Sequence, residues 1–539
     1  MSAPPNQIPP KALSSGAGEI PAYRAYNKVV SHQELEAALK NLARIGTLIK
    51  DRGYRQVWRF EFQDKPYYVK FYPRLGSKWK RFFRGSPALR EFTRLQMLQK
   101  ASIPSPRASA VLMGFRLDDS IGDAVILEGI EPSRQLDQYI NELQLKGERI
   151  PDHLGLAGQI RSLVYQLGRW KLGHSDLHLG NFLLHGSKLY LLDGYAVRTG
   201  GMKMNDLLQL GHGVRGVATT ADLQRGWEQL DGGGRMPKHN PVSRKWWRKM
   251  ERNCTGENRY FGRISIDGGG VTLAHSPGGR WKGYFFKQAK YPRRWSEFSR
   301  LSIAAKDWEE TLPVLLGQIE SDQFTVLKRT PSGDVLSGEI VLAGRPLEVV
   351  IKRPRRKLWY RYFNEIGRGT RSYRAWKKSW ALIARDIPTA WPLAVIERRV
   401  FGYATDQLIV FEKIPGKTMA ETDFGELAPP AREMLFHRAG RMLRKLEEAD
   451  LYHFDGKASN FIVRADEKLG PSPMLVDVDG IRRRRWVAFG LQRLLRSLKD
   501  NPTYTPADSL ALCRGYVPYA RIQAENDEAE PEGAGGDVQ

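Results

Sequence analysis

Cysteine is nearly missing from this chain: there are two, Cys254 and Cys513, in 539 residues. Two thiols make no disulfide framework, so a reducing compartment is the expectation. Long apolar runs are missing too. No stretch approaches the roughly 18 consecutive apolar residues of a membrane-spanning helix, and the opening MSAPPNQIPPKALSSGAGEIP holds no apolar core of signal-peptide length. These shortages argue against a secreted or integral membrane protein. They point to a cytoplasmic one, with a peripheral position on a membrane surface left open. Acidic residues are the third shortage. Lys and Arg number 85 against 59 Asp and Glu, a net charge of +26. Six of the acids (Glu525, Asp527, Glu528, Glu530, Glu532 and Asp537) sit in a final stretch without Lys or Arg, so the rest is more basic still. A field of this sign favours an anionic partner: nucleic acid, acidic lipid head groups or phosphorylated glycans.

What is present is an order of segments used twice. Residues 1–24 are rich in Pro, Gly and Ser and are expected to be disordered, as is the acidic tail 521–539. Between them, Val57–Tyr72 reads as two alternating strands. The helical pattern SPALREFTRLQMLQKA, an Ile103-Pro104 turn, a strand at AVILEGI and the loop GHSDLHLGN follow. The second half repeats this. Strands come at GEIVLAG and PLEVVIKRP, a helix at GTRSYRAWKKSWALIA, a turn at Ile387-Pro388, a strand at QLIVFEKIPG and a loop at YHFDGKASNFIV. One architecture used twice, rather than a short-period solenoid, explains this order. Residues 236–320 fit neither copy and read as a basic-aromatic linker.

The first copy offers each part that phosphoryl transfer needs. Asp176 can accept or orient a hydroxyl proton. Asn181 lies five residues on, where a loop can turn its carbonyl toward a metal. The short apolar strand Leu189–Leu192 delivers Asp193 to the same place, and hard magnesium prefers such oxygen ligands. Lys70, at the end of the apolar strand Tyr67–Lys70, can reach phosphates, and Glu91 on the next helix can hold it in place. Each residue type is common alone; five in this order on compatible elements point to one chemistry.

HSDLHLGN followed by LLDG resembles the catalytic loop and metal-binding segment of the protein-kinase-like superfamily. SPALREF with LQKASIPSPRASAV is similar to the helix and Ile-Pro turn of the lipopolysaccharide kinase (Kdo/WaaP) family. The resemblance covers roughly Tyr54–Leu230 and again Leu327–Ala520, as two tandem copies. It implies an α+β fold of two protein-kinase-like bilobal domains, 25–235 and 321–520, each with a small β-rich lobe and a larger helical one. It further implies ATP and Mg2+ as cofactors, and transfer of the γ-phosphoryl group to a sugar hydroxyl of lipopolysaccharide core or a related anionic glycolipid. The place implied is the cytoplasmic face of the inner membrane. In the first copy Lys70 is then the phosphate lysine, Glu91 its partner, Asp176 the catalytic aspartate, and Asn181 and Asp193 the metal ligands. In the second, HFDGKASNFIV and MLVDVDG make Asp455 the catalytic aspartate and Asn460 and Asp477 metal ligands, with Asp479 as helper. Lys457 and Lys352 are its phosphate lysines.

Two departures from the family pattern stand out. Counting back twelve from the Ile-Pro turn reaches Glu91 in the first copy and Ala375 in the second, so the lysine's partner is missing there; Glu365 lies nearby as a substitute. Neither copy has a GxGxxG loop: the first offers Asp51-Arg52-Gly53-Tyr54, the second Pro331-Ser332-Gly333-Asp334. A scaffold that binds nucleotide or an anionic surface without turnover is the alternative these departures favour, and a kinase acting on a small molecule or protein is another. His174, His178 and His185 lack the cysteines of a zinc site and are expected to pack within the loop. The basic-aromatic segments Lys78–Arg84, Arg244–Lys249, Arg293–Trp295 and Arg482–Trp486 suit single-stranded nucleic acid or a membrane interface equally. The kinase-like loops tilt the reading toward phosphorylated head groups and away from nucleic acid.

Overall fold

The computed structural model describes residues 39, 41–74, 85–146, 148, 150–214, 240–266, 280–290, 292–355, 369–400, 403–467, 470–483 and 488–517. Residues 1–24, 521–539, Lys78–Arg84 and Glu365 lie outside them. The chain forms two compact units, the first built chiefly from residues up to Met236 and the second chiefly from Pro237 onward. Both mix helices and strands, an α+β composition.

The first unit opens with strands β1 (Thr47–Asp51), β2 (Gln56–Phe62) and β3 (Lys65–Pro73), then helix α1 (Pro87–Lys100) and strands β4 (Ala108–Leu117) and β5 (Ser120–Glu128). The strands form one antiparallel sheet in the order β1-β2-β3-β5-β4. In β3 the two-residue period of a strand separates two faces. Tyr67, Val69 and Phe71 join Trp58, Phe60 and Phe115 on one. Tyr68, Lys70 and Tyr72 lie on the other, against which α1 packs. Helix α1 starts at Ser86, whose side chain accepts from the Leu89 amide, with Pro87 at the first turn. Its buried stripe is Ala88, Glu91, Phe92, Leu95 and Leu98, the i, i+3, i+4 spacing of one helix face. That spacing turns Glu91 inward.

The same unit continues with α2 (His153–Arg169), β6 (Leu172–His174), β7 (Phe182–His185), β8 (Lys188–Leu191), β9 (Val197–Thr199) and α3 (Met204–Val214). Strands β6 and β9 pair antiparallel, as do β7 and β8.

The second unit holds α4 (Pro241–Asn253), β10 (Phe261–Ile266), β11 (Arg280–Phe286), α5 (Ala305–Glu320), β12 (Thr325–Thr330), β13 (Gly333–Leu342), β14 (Arg345–Pro354), α6 (Arg371–Ile383), β15 (Pro392–Val400) and β16 (Tyr403–Glu412). Its sheet has seven strands in the order β10-β11-β15-β16-β14-β13-β12. Read from β12, the first five repeat the strand order of the first unit. The other two come from the stretch expected to be a linker: β11 pairs with β15, and β10 with β11. The hairpin covers an edge that β15 would otherwise expose. Residues 236–320 thus contribute two strands and two helices to this unit, and Phe286, Trp380 and Trp391 meet ring to ring at centroid distances of 5.2–5.5 Å.

Packing also accounts for two of the basic-aromatic segments. Trp247 is buried beneath the Arg385 guanidinium, 4.5 Å from its ring centre. Arg244 pairs with Asp450 at 2.8 Å, Arg293 with Asp386 at 2.9 Å and Arg294 with Asp466 at 2.5 Å. These cations are held by the unit's own carboxylates. The Arg482–Trp486 segment runs out of the described residues after Arg483. The unit ends with α7 (Pro429–Glu448), β17 (Leu451–His453), β18 (Phe461–Arg464), β19 (Ser472–Leu475), β20 (Ile481–Arg483), α8 (Phe489–Leu498) and α9 (Pro506–Tyr516). Here too β17 pairs with β20 and β18 with β19. Cys254 and Cys513 are free, and burial pushes the Cys254 thiol up to about 12.

Candidate functional site

In the first unit, β6 ends at His174, which is fully buried. Its Nε2 lies 3.0 Å from the Leu192 carbonyl, and burial lowers the pKa, so the ring stays neutral and donates. This bond ties the strand that precedes Asp176 to the one that precedes Asp193. The Asn181 carbonyl adds a second tie by accepting from the Leu192 amide at 2.8 Å. Asp176 Oδ1 accepts from Gln209 on α3 at 2.7 Å, and its Oδ2 lies 3.5 Å from His178 Nε2. The Gly180 amide donates to His178 Nδ1 at 3.0 Å, which fixes the tautomer and leaves Nε2 as the donor. The His178 hydrogen bond, first, then that of Gln209, hold the Asp176 carboxyl at about 2 against the burial that would raise it. Asp176 is therefore an ionised acceptor at neutral pH.

Lys70 and Glu91 meet at 2.5 Å. Glu91 is completely buried and also accepts from Tyr72 Oη at 2.6 Å; a carboxylate taken out of water is tolerated only when so paired. Lys70 Nζ lies 4.0 Å from Asp193 Oδ1. Asp193 has a left-handed backbone, φ 59, and its Oδ1 is a buried oxygen without a hydrogen-bond partner. Asn181 commits its nitrogen to the Asp176 carbonyl at 2.7 Å, so its carboxamide oxygen is the end offered to a cation. An orphaned carboxylate oxygen and a carboxamide oxygen fit magnesium, which keeps part of its shell for water and phosphate. Among the described residues, no three His, Cys, Asp or Glu side chains converge as an all-protein metal cage.

The second unit repeats the frame with different partners. His453 is fully buried and its Nε2 lies 2.9 Å from the Asp477 carbonyl; burial again keeps the ring neutral. Asn460 donates to the Asp455 carbonyl at 2.6 Å, and its own carbonyl accepts from the Val476 amide at 2.9 Å. Asp477 is left-handed as well, φ 54. Ala375, where α1 carries Glu91, is buried on α6. Lys352 pairs instead with Asp477 Oδ1, at 2.9 Å. Burial would raise the Asp477 pKa, but Lys352 outweighs it and holds the carboxyl low. Asp455 is gripped by Arg493 at 3.0 Å and Lys457 at 3.2 Å, which overcome burial in the same way. Asp479 is engaged by Arg371 at 2.5 Å, and its carbonyl accepts from Lys378 at 2.7 Å. Burial, then the Arg482 charge, bring Lys378 down to about 8.

All five residues singled out in the first copy come together, and so do the six of the second. Sequence reasoning missed Gln209, Arg493, Arg371 and Arg55. Arg55, just before β2, brings its Nη1 to 3.6 Å from Asp193 Oδ1. The turn DRGYR, which stands where a glycine-rich loop was sought, was the signal for it. The helix partners carry no local motif, since they reach the site only through the fold.

The model of the Lipopolysaccharide kinase (Kdo/WaaP) family matches residues 355–516. This is the family that the sequence motifs resemble, and its members are phosphotransferases. The matched stretch contains Asp455, Lys457, Asn460, Asp477 and Asp479 and begins just after Lys352. Among solved structures, a chain described as WaaP in complex with acyl carrier protein is similar at 21% identity, over 37% of this chain and 82% of that one, with a TM-score of 0.28. No curated protein sequence matches the chain.

Proposed function

We propose that the chain is an ATP-dependent phosphotransferase of two tandem kinase-like domains. Each has a sheet-rich lobe and a helical lobe, and the γ-phosphoryl group moves to a sugar hydroxyl of lipopolysaccharide core or a related lipid-linked glycan. The observation that carries the reading is the Lys70–Glu91 pair set 4.0 Å from Asp193, with ionised Asp176 on the same framework; the family match over 355–516 supports it. Lys70, fixed by Glu91, neutralises nucleotide phosphates. Asp176 accepts the proton of the acceptor hydroxyl as its oxygen bonds to phosphorus and the bond to ADP breaks. Asn181 and Asp193 would hold magnesium, which supplies charge stabilisation on the phosphate oxygens when bound. A basic surface suits an anionic acceptor at the cytoplasmic face of a membrane.

Transfer of labelled phosphate from ATP into a lipopolysaccharide extract tests this. Asp176→Ala is expected to lower transfer by about 10²–10⁴-fold, and Asp193→Asn to abolish the magnesium-dependent part. Transfer lost only in Asp455→Ala would move the active site to the second unit. ATP binding without transfer to any glycan fraction would leave a nucleotide-binding scaffold.

A further inference from the structure

The two candidate sites differ in charge balance. In the first, Glu91, Asp176 and Asp193 stand with Lys70, Arg55 and with Arg94, which donates to the Tyr195 carbonyl: three carboxylates and three cations. The second also has three carboxylates, Asp455, Asp477 and Asp479. Six cations bond to these same residues: Lys352, Arg371, Lys378, Lys457, Arg482 and Arg493. The partner of Lys352 differs because of one position. With Ala375 in place of a glutamate, Lys352 closes on Asp477 Oδ1 at 2.9 Å, whereas the matching Asp193 Oδ1 has cations only at 3.6 and 4.0 Å and no hydrogen bond. Asp455, which should be free to take a proton, is held by two cations instead.

A divalent cation bridges acidic protein groups to phosphate. Here that bridging is already done by nitrogen. Each carboxylate has its own ammonium or guanidinium, and a surplus of three positive charges remains. Lys457, Arg493 and Arg371 are 49%, 42% and 41% exposed. Arg493 commits Nη2 and Arg371 commits Nε, which leaves the rest of each planar fork for an incoming oxyanion. We propose that the second unit's site binds a phosphate chain directly through these lysines and arginines, without a divalent metal. That the anion is a phosphate chain rests on the phosphotransferase reading; the surplus of cations does not.

The test is calorimetric titration of inorganic tripolyphosphate into the full-length protein carrying Lys70→Ala, which disables the first unit's own phosphate lysine. The expected result is one binding site that persists when EDTA replaces magnesium. Its affinity should fall at least tenfold in Lys457→Ala/Arg493→Ala, with a thermal midpoint equal to the parent's. Arg371→Gln provides a second probe on a different element and should weaken binding in the same direction. Binding that needs magnesium, or EDTA-resistant binding indifferent to both variants, overturns the proposal. Labelled-phosphate transfer by the unmodified protein separates the two readings. EDTA-resistant binding without transfer sinks only the phosphotransferase; transfer without such binding sinks only this inference.

Discussion

Glu91 shows how much one carboxylate does. It is completely buried, and it fixes Lys70 while accepting from Tyr72. Burial and the neighbouring Glu91 charge push the Tyr72 hydroxyl up, so it remains a donor. Glu91→Ala leaves a part-buried ammonium without its partner and should cost about 3 kcal/mol in chemical denaturation, together with a raised KM for ATP. Glu91→Gln keeps an acceptor for Tyr72 and should cost less. Lys70 and Glu91 were legible because strand and helix periodicities face them toward each other. Gln209 was not, because a helix glutamine has no pattern of its own and acquires a role only when α3 meets the Asp176 loop. Glu412 in the second unit is a different case. Burial raises its carboxyl to about 7, against the hydrogen bonds of Ser296 and the Trp391 amide. The folded state then keeps a proton that the unfolded chain has released, so stability is highest below the ordinary glutamate value and falls as pH rises toward 7. Glu412→Gln should flatten that decline, which is on the order of 3 kcal/mol, in denaturation curves collected from pH 4.5 to 7.5.

At the scale of elements, the repeated order of strands, helix, turn and loop was legible because each segment keeps its own period. The β10–β11 hairpin was not. It has no counterpart in the first half, and its Arg, Lys and aromatic residues read as part of a basic-aromatic linker until β11 is seen paired to β15. The pairing is close at Gly283, where an added Cβ would lie 1.9 Å from the Val395 carbonyl oxygen. Gly283→Val should therefore destabilise the second unit by about 2–3 kcal/mol, read as a lower midpoint in urea. An unchanged midpoint would mean that the hairpin contributes little to this sheet. The same contact argument separates basic-aromatic segments that pack inward, such as the one around Trp247, from any that meet a partner.

For the whole molecule, the net charge of +26 is the feature that composition alone makes plain, and the acceptor is the one it leaves open. Long-range attraction to an anionic glycolipid is screened by salt, with a Debye length near 10 Å at 0.1 M and about 3 Å at 1 M. Raising NaCl from 0.05 to 0.5 M should increase the KM for lipid-borne acceptor severalfold and change kcat far less. A delipidated core oligosaccharide should show a weaker dependence. Equal salt sensitivity for both acceptors would locate the effect in the nucleotide site.

The left-handed backbone at Asp193 and Asp477 bears on how either site is dissected. Aspartate and asparagine visit that conformation with little strain, whereas alanine does so at a cost of about 1 kcal/mol or more. Alanine at these two positions therefore perturbs the path of the chain along with the charge, and the turn it distorts also carries the carbonyl that anchors Arg94 or Lys378. Asparagine removes the charge and keeps the turn, whereas alanine disturbs both. A pair of such variants at each aspartate separates a lost ligand from a misplaced loop.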